Sequence, residues 1–164
     1  MKNLEIERKY LIKMPDEELL QAFPGVQIVN ITQTYTGLGI RIRKWEEKGE
    51  VKYIKTVKKH LTNLTRIETE CEITRDEYER LFSFSDPERK PLEKIRYRLP
   101  FCGKLVEIDI FPFWKNQAFL EVELESEDEE FFIPDFIETI KEVTNDPAYR
   151  NHSLAQNIPK EEKF

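Results

Sequence analysis

Leu4-Glu5-Ile6-Glu7-Arg8-Lys9-Tyr10 alternates: Glu5, Glu7 and Lys9 fall on one side, Leu4, Ile6 and Tyr10 on the other, and Arg8 alone interrupts the apolar side. Side chains of a strand point alternately to opposite faces, so this stretch reads as a strand with one ionic and one oily face. The pattern returns along the chain. Arg41 and Arg43 alternate with Ile40 and Ile42, and Arg66, Glu68, Glu70 and Glu72 with Ile67, Cys71 and Ile73. Lys94, Arg96 and Arg98 alternate with Ile95, Tyr97 and Leu99, and Glu107 and Asp109 with Val106, Ile108 and Ile110. Glu121, Glu123 and Glu125 alternate with Leu120, Val122 and Leu124. In an open sheet these ionic faces would meet water. In a closed one they would line a wet channel, with acids to hold a metal and bases to hold a polyphosphate.

The 164 residues suffice for one domain with a sizeable core, and we expect 1–164 to form one. Charged residues make up 35% and apolar ones 39%, with too many aromatic and β-branched residues for disorder. The net charge of −6 argues against a general nucleic-acid surface, although a local basic site remains compatible with it. Cys71 and Cys102 form neither a disulfide framework nor a metal cluster and suit a reducing compartment. No signal peptide is evident, and no apolar run approaches the ~20 residues of a membrane helix, so a cytoplasmic protein without membrane contact is expected.

Strands are expected over Leu4–Ile12, Val26–Tyr35, around Arg41–Arg43, over Val51–Lys58 and over Arg66–Ile73, with turns at Glu46–Gly49 and His60–Asn63. Three more follow at Glu93–Leu99, Lys104–Phe111 and Gln117–Glu125. Asp16–Phe23 reads as a short helix ended by Pro24-Gly25. A second starts at Thr74, with Glu77 placed for a capping box and Tyr78, Leu81 and Phe82 on one side. Asp135–Glu142 and Pro147–Gln156 read as helices, the latter with Asp146 as N-cap and Pro147 in the first position. The fold class is therefore α+β: an eight-stranded antiparallel closed β-barrel, charged inside, with helices packed against its apolar outside. Unpaired buried charges cost several kcal/mol each, so the interior must be hydrated and cross-paired.

E-x-E-x-K at Glu5-Glu7-Lys9 is a weak signal by itself. The ordered set is stronger: R-x-R at Arg41-Arg43, R-x-E-x-E at Arg66-Glu68-Glu70, K-x-R at Lys94-Arg96, E-x-D at Glu107-Asp109 and E-x-E at Glu121-Glu123. With Gln33-Thr34-Tyr35 and the closing run from Glu142 to Ala155, it resembles the CYTH superfamily, the triphosphate tunnel metalloenzymes, in its small bacterial triphosphatase branch. The resemblance spans essentially the whole chain.

That resemblance implies a tunnel that binds a triphosphate through bases and one or two divalent cations, Mg²⁺ or Mn²⁺, through acids. Hard cations take carboxylate and substrate oxygens, and Glu5 and Glu7 share one strand face. By resemblance Glu5, Glu7 and Glu123 are the first candidate metal ligands, with Glu121 next. Glu68, Glu70, Glu107 and Asp109 either assist a second metal, orient bases, activate water, or simply pair with tunnel cations. Lys9, Arg41, Arg43, Lys55, Arg66, Lys94 and Arg96 are the candidate phosphate clamps. Arg150, on the last helix, is either a further clamp or a surface charge. Lys52 and Lys58 have the opposite parity to Lys55 and are expected outside, and Arg98 is expected at the mouth. Tyr35 occupies the family's position for a proton acceptor, and a ring of cations is expected to lower its phenol pKa. His60 and His152, far apart, make no metal site or triad.

The function implied is metal-dependent hydrolysis of a triphosphate, tripolyphosphate first. Class IV adenylate cyclases and thiamine or nucleoside triphosphatases share the same tunnel charges. Outside catalysis, a polyphosphate-binding module or a charged β-rich interaction domain would use the same residues. A homodimer is compatible with the apolar outer faces.

Overall fold

The computed structural model describes residues 2–62 and 64–163. Its strands are β1 (Lys2–Lys13), β2 (Gln27–Tyr35), β3 (Arg41–Glu47), β4 (Glu50–His60), β5 (Thr65–Ile73), β6 (Leu92–Phe101), β7 (Lys104–Ile110), β8 (Gln117–Leu124) and β9 (Thr139–Glu142). The sheet runs β5-β4-β3-β2-β6-β7-β8-β1, and β1 pairs back onto β5, so eight antiparallel strands close into a barrel. Of the turn expected over His60–Asn63, Asn63 lies outside the described residues.

β1 changes partner along its length. It pairs with β5 from Lys2 to Ile6, then with β9 from Tyr10 to Ile12. Between these, Glu7 N donates to Leu64 O (3.2 Å), Val143 N donates to Lys9 O (2.8 Å) and Lys9 N donates to Thr144 Oγ1 (2.9 Å). These bonds satisfy Glu7 N and both main-chain groups of Lys9 where β1 changes partner, as burial demands.

β9 overturns the helix expected over Asp135–Glu142. A turn at Pro134, closed by Ile137 N to Pro134 O (3.0 Å), delivers Thr139–Glu142 to the stretch of β1 that β5 has left. The apolar reading survives the change of conformation, since Ile137 is buried and Phe136 and Ile140 pack on the core. The helix expected over Pro147–Gln156 is interrupted. Asp146 does cap it, accepting from Ala148 N at 3.0 Å, but Pro147–Tyr149 is a single 3₁₀ turn. Arg150 is extended (ψ 141°), and α3 is only Asn151–Leu154. The remaining helices, α1 (Glu17–Gln21) and α2 (Arg75–Phe82), start at the caps Asp16 and Thr74.

The outward residues of β1 and β6–β8, among them Ile12, Leu99, Val106, Ile108 and Leu120, are fully buried under Leu20 of α1 and the segment carrying Ile133, Phe136 and Ile137. Tyr78 and Leu81 of α2 cover Ile42 of β3. A third cluster differs in kind. Leu11, Leu92 and Phe119 have the parity of the ionic residues, and with Phe111, Trp114, Tyr149 and Leu154 they plug one end of the barrel. Among the described residues no helix is long and apolar enough to cross a membrane.

Candidate functional site

The barrel encloses a cavity of about 510 Å³ lined, among the described residues, by seven glutamates and eight lysines and arginines. Acids and bases are unevenly placed. Glu7 stands directly opposite Glu123, and Glu107 opposite Glu121, in the β1–β8 and β7–β8 ladders. Burial together with Glu5, Glu7 and Glu107 pushes the Glu123 carboxyl above its ordinary range. Like charges facing each other across a ladder are unfavourable. Arg66 answers part of this excess: Nη2 lies 2.7 Å from Glu5 and 2.6 Å from Glu7. Burial pulls Arg66 down, but those two carboxylates outweigh it, so its charge is locked on.

Across the tunnel, Arg43 pairs with Glu70 (2.8 Å) and Arg41 with Glu68 (3.8 Å). Lys9 lies 3.5 Å from Glu121, with its ammonium 3.9 Å above the Phe119 ring. Arg150 reaches the cavity from the segment before α3. Nε of Arg41, Arg43 and Arg66 is buried with no hydrogen-bond partner among the described residues. A buried, unsatisfied guanidinium N–H is costly, and an anion in the tunnel would relieve it.

The comparisons with known proteins give the family. An inorganic triphosphatase of Acetivibrio thermocellus is 35% identical over 120 residues, 72% of each chain. One from Nitrosomonas europaea is 37% identical over 161 residues, 94% of this chain and 99% of the other. The chain belongs to the CYTH superfamily of triphosphate tunnel metalloenzymes. It stands close to the bacterial inorganic triphosphatases. The crystal structure of the inorganic triphosphatase NE1496 matches with a TM-score of 0.56 at 28% identity, over 95% of this chain and 97% of that one. No protein-family profile matches the chain.

The CYTH tunnel brings together Glu5, Glu7, Glu121, Glu123, Lys9, Tyr35, Arg41, Arg43, Arg66, Arg96 and Arg150. It excludes two expected clamps. Lys55 points outward, 3.4 Å from Glu77 of α2, and Lys58 replaces it inside, 3.3 Å from Glu5. The cause is the β3–β4 turn. Only Lys48 (φ 50°) and Gly49 (φ 79°) lie between the strands, a two-residue turn that pairs odd residues of β3 with even residues of β4, as in Arg41 with Thr56. Lys94 is the second exclusion. It shares the inward parity of Arg96 but is buried beside the plug, off the cavity, 2.8 Å from Asp109 and 5.8 Å from the Phe111 ring centroid. Burial brings its pKa down to about 8 even so. Asp109 also takes Arg96 Nε and Nη2 at 2.7 and 2.9 Å. Burial would raise the Asp109 carboxyl, yet Arg96 and Lys94 hold it well below its usual range.

Three further residues bear on the site. Arg98 lines the CYTH cavity, paired with Glu107 at 2.9 Å and lying 5.6 Å from the Trp45 ring centroid. His152 lines it too, against Tyr35. The Tyr35 phenol is raised, not lowered. Burial dominates, and the cations Arg41 and Arg43 with the 2.7 Å hydrogen bond from Gln33 Nε2 offset it only in part.

The CYTH family hydrolyses or cyclises triphosphates with a divalent metal. Among the described residues no three His, Cys, Asp or Glu side chains already converge as a cation cage. The donor set nevertheless fits a hard cation. Glu5, Glu7, Glu121 and Glu123 offer only carboxylate oxygens, and burial first, then Glu5, Glu7 and Glu107, raise the Glu123 carboxyl among them.

Proposed function

We propose that the chain is a metal-dependent triphosphatase that hydrolyses inorganic tripolyphosphate to pyrophosphate and orthophosphate, with residues 1–164 acting as one catalytic domain. The observation that carries this reading is the division of one tunnel into a carboxylate-rich side and a wall of guanidinium groups with unsatisfied donors. Lys9, Arg41, Arg43, Lys58, Arg66, Arg96 and Arg150 would hold the phosphate chain, Arg41 and Arg43 beside Tyr35. Fixed cations of this kind stabilise charge that builds on the transferred phosphoryl group. Glu5, Glu7 and Glu123, with Glu121, would hold Mg²⁺ or Mn²⁺, which when bound supplies Lewis-acid polarisation of phosphoryl oxygens. Water forms the new bond to the terminal phosphorus, the bridging P–O bond breaks, and pyrophosphate leaves. Tyr35 keeps its proton, so its role is to orient the water or donate to a phosphate oxygen.

Orthophosphate release from tripolyphosphate with Mg²⁺, beside a Glu5→Ala control of verified fold, tests the proposal. Release that is lost in the control supports it. A folded wild type that releases nothing overturns it. Trp45 favours a second reading, because its ring lines the cavity and offers a surface on which an aromatic head group, as in a nucleoside triphosphate, can stack.

A further inference from the structure

His152 stands at the rim of the tunnel in α3, its ring edge-on to Tyr35 with centroids 4.9 Å apart and planes at 75°. Arg89 Nε donates a 2.8 Å hydrogen bond to His152 Nε2. A guanidinium has donors only and stays protonated, so Nε2 must present its lone pair. The proton of the neutral ring then belongs on Nδ1. Protonating the ring would remove the acceptor and set two cations against each other. Burial and the Arg89 charge accordingly draw the imidazole below its ordinary pKa, with Asp86 opposing them in part.

Arg89 is built into a loop that holds both partners of the ring pair. Toward Tyr35, Asp86 N donates to Tyr35 O (2.9 Å) and Gly37 N to Phe84 O (2.9 Å). Toward α3, Lys90 N donates to Ala155 O (2.7 Å) and Arg89 Nη1 to Gln156 Oε1 (3.2 Å). Asp86 lies 3.9 Å from Arg89 and orients it. The charged or titratable groups facing His152 are thus Arg89 and Asp86 from the loop and Tyr35 from β2, with Arg150 on its own segment.

We propose that His152 is a positioning residue, held by Arg89 as the neutral Nδ1–H tautomer, whose ring fixes the Tyr35 ring in the tunnel wall beside the aromatic plug. The consequence for turnover rests on the triphosphatase reading; the tautomer and the ring contact do not.

Imidazole ¹⁵N NMR on a His60→Gln background, at about pH 7.5 so that an ordinary histidine is neutral, reads the tautomer directly. The expected spectrum has a protonated Nδ1 and a bare Nε2. Arg89→Ala should give a tautomer mixture and move the titration midpoint up toward 6.5. A charged ring, or a proton on Nε2, in the Arg89-containing protein overturns the assignment. Kinetics then reads the positioning. His152→Ala should lower kcat for tripolyphosphate about tenfold, the scale of one aromatic pair. KM should stay within roughly twofold. His152→Phe, which keeps a ring against Tyr35, should recover most of kcat. An unchanged kcat in His152→Ala, or a phenylalanine variant no better than alanine, overturns it. If the wild type releases no phosphate, the triphosphatase reading fails by itself. Tyr35 ring-proton shifts, expected to move in His152→Ala and to return in His152→Phe, then decide the positioning; unmoved shifts overturn it.

Discussion

Glu7 of β1 and Glu123 of β8 are direct cross-strand partners, two carboxylates paired in the wall of a tunnel. Such a rung opposes folding, and Arg66, which reaches Glu7 alone of the two, offsets the repulsion only in part. Glu123→Gln should stabilise the metal-free protein by about 0.5–1 kcal/mol, the scale of a relieved cross-strand repulsion. The same change should abolish the rise in Tm that saturating Mg²⁺ gives the wild type. Thermal unfolding with and without Mg²⁺ measures both. A variant less stable than wild type without metal would show that the rung is not repulsive.

Lys58 and Lys55 separate tunnel from surface. Lys58→Ala should raise KM for tripolyphosphate about tenfold, the loss of one charge-assisted contact. Lys55→Ala, which breaks only a half-exposed pair with Glu77, should leave KM within roughly twofold. Steady-state kinetics of the two variants decides the register of β4 in solution.

Asp109 is the counter-ion of two buried cations, so Asp109→Asn should destabilise the fold by about 3–5 kcal/mol at neutral pH. Its folded pKa is depressed below 3.8. The contribution is therefore present above the unfolded value and is lost as pH falls from about 4 toward the folded value. Urea unfolding from pH 7 downward should show wild type and variant converging only below about pH 4. A gap that closes well above that pH would place the depression elsewhere.

Tyr35→Phe should lower kcat by about 10–10²-fold if the hydroxyl orients water or a phosphate oxygen. Because the phenol is raised above 10.0, the wild-type kcat should not climb tenfold per pH unit between pH 7 and 9 as a phenolate base would require. Such a climb, absent from the phenylalanine variant, would restore the base role.

Trp45→Ala should weaken turnover of ATP relative to tripolyphosphate by about fivefold to a hundredfold, since base stacking contributes roughly 1–3 kcal/mol. Equal loss on both substrates would confine Trp45 to packing against Arg98.

The charged faces were legible in the sequence because period-two alternation survives any tertiary arrangement. Glu5-Glu7-Lys9 and Glu121-Glu123 lie where that pattern puts them. Lys55 escapes a reading of its own strand alone, because parity has to be carried across the hairpin: any turn with an even number of residues sets odd residues of β3 opposite even residues of β4, which puts Lys58 and not Lys55 on the tunnel face. The Lys48-Gly49 pair carried the needed signal. Lys94 shares its parity with Arg96, but the aromatic plug that walls it off comes from Phe111 and Phe119, which no local pattern links to it. Asp135–Glu142 has helical spacing, and its conformation was decided instead by the free edge of β1, more than a hundred residues away. His152 was passed over because its partner Arg89 is joined to it only by the fold.

The divided pairing of β1 has a consequence for the order of assembly. This strand is made before its partners: β8 and β9, which satisfy most of its length, follow it by more than a hundred residues. Until then its edges are open to any other strand, the exposure that invites association between chains. Such distant pairings also make closure slow. Arg8 and Lys13, charges carried on this waiting strand, oppose pairing with the wrong neighbour, and the barrel seals only once β8 has been made.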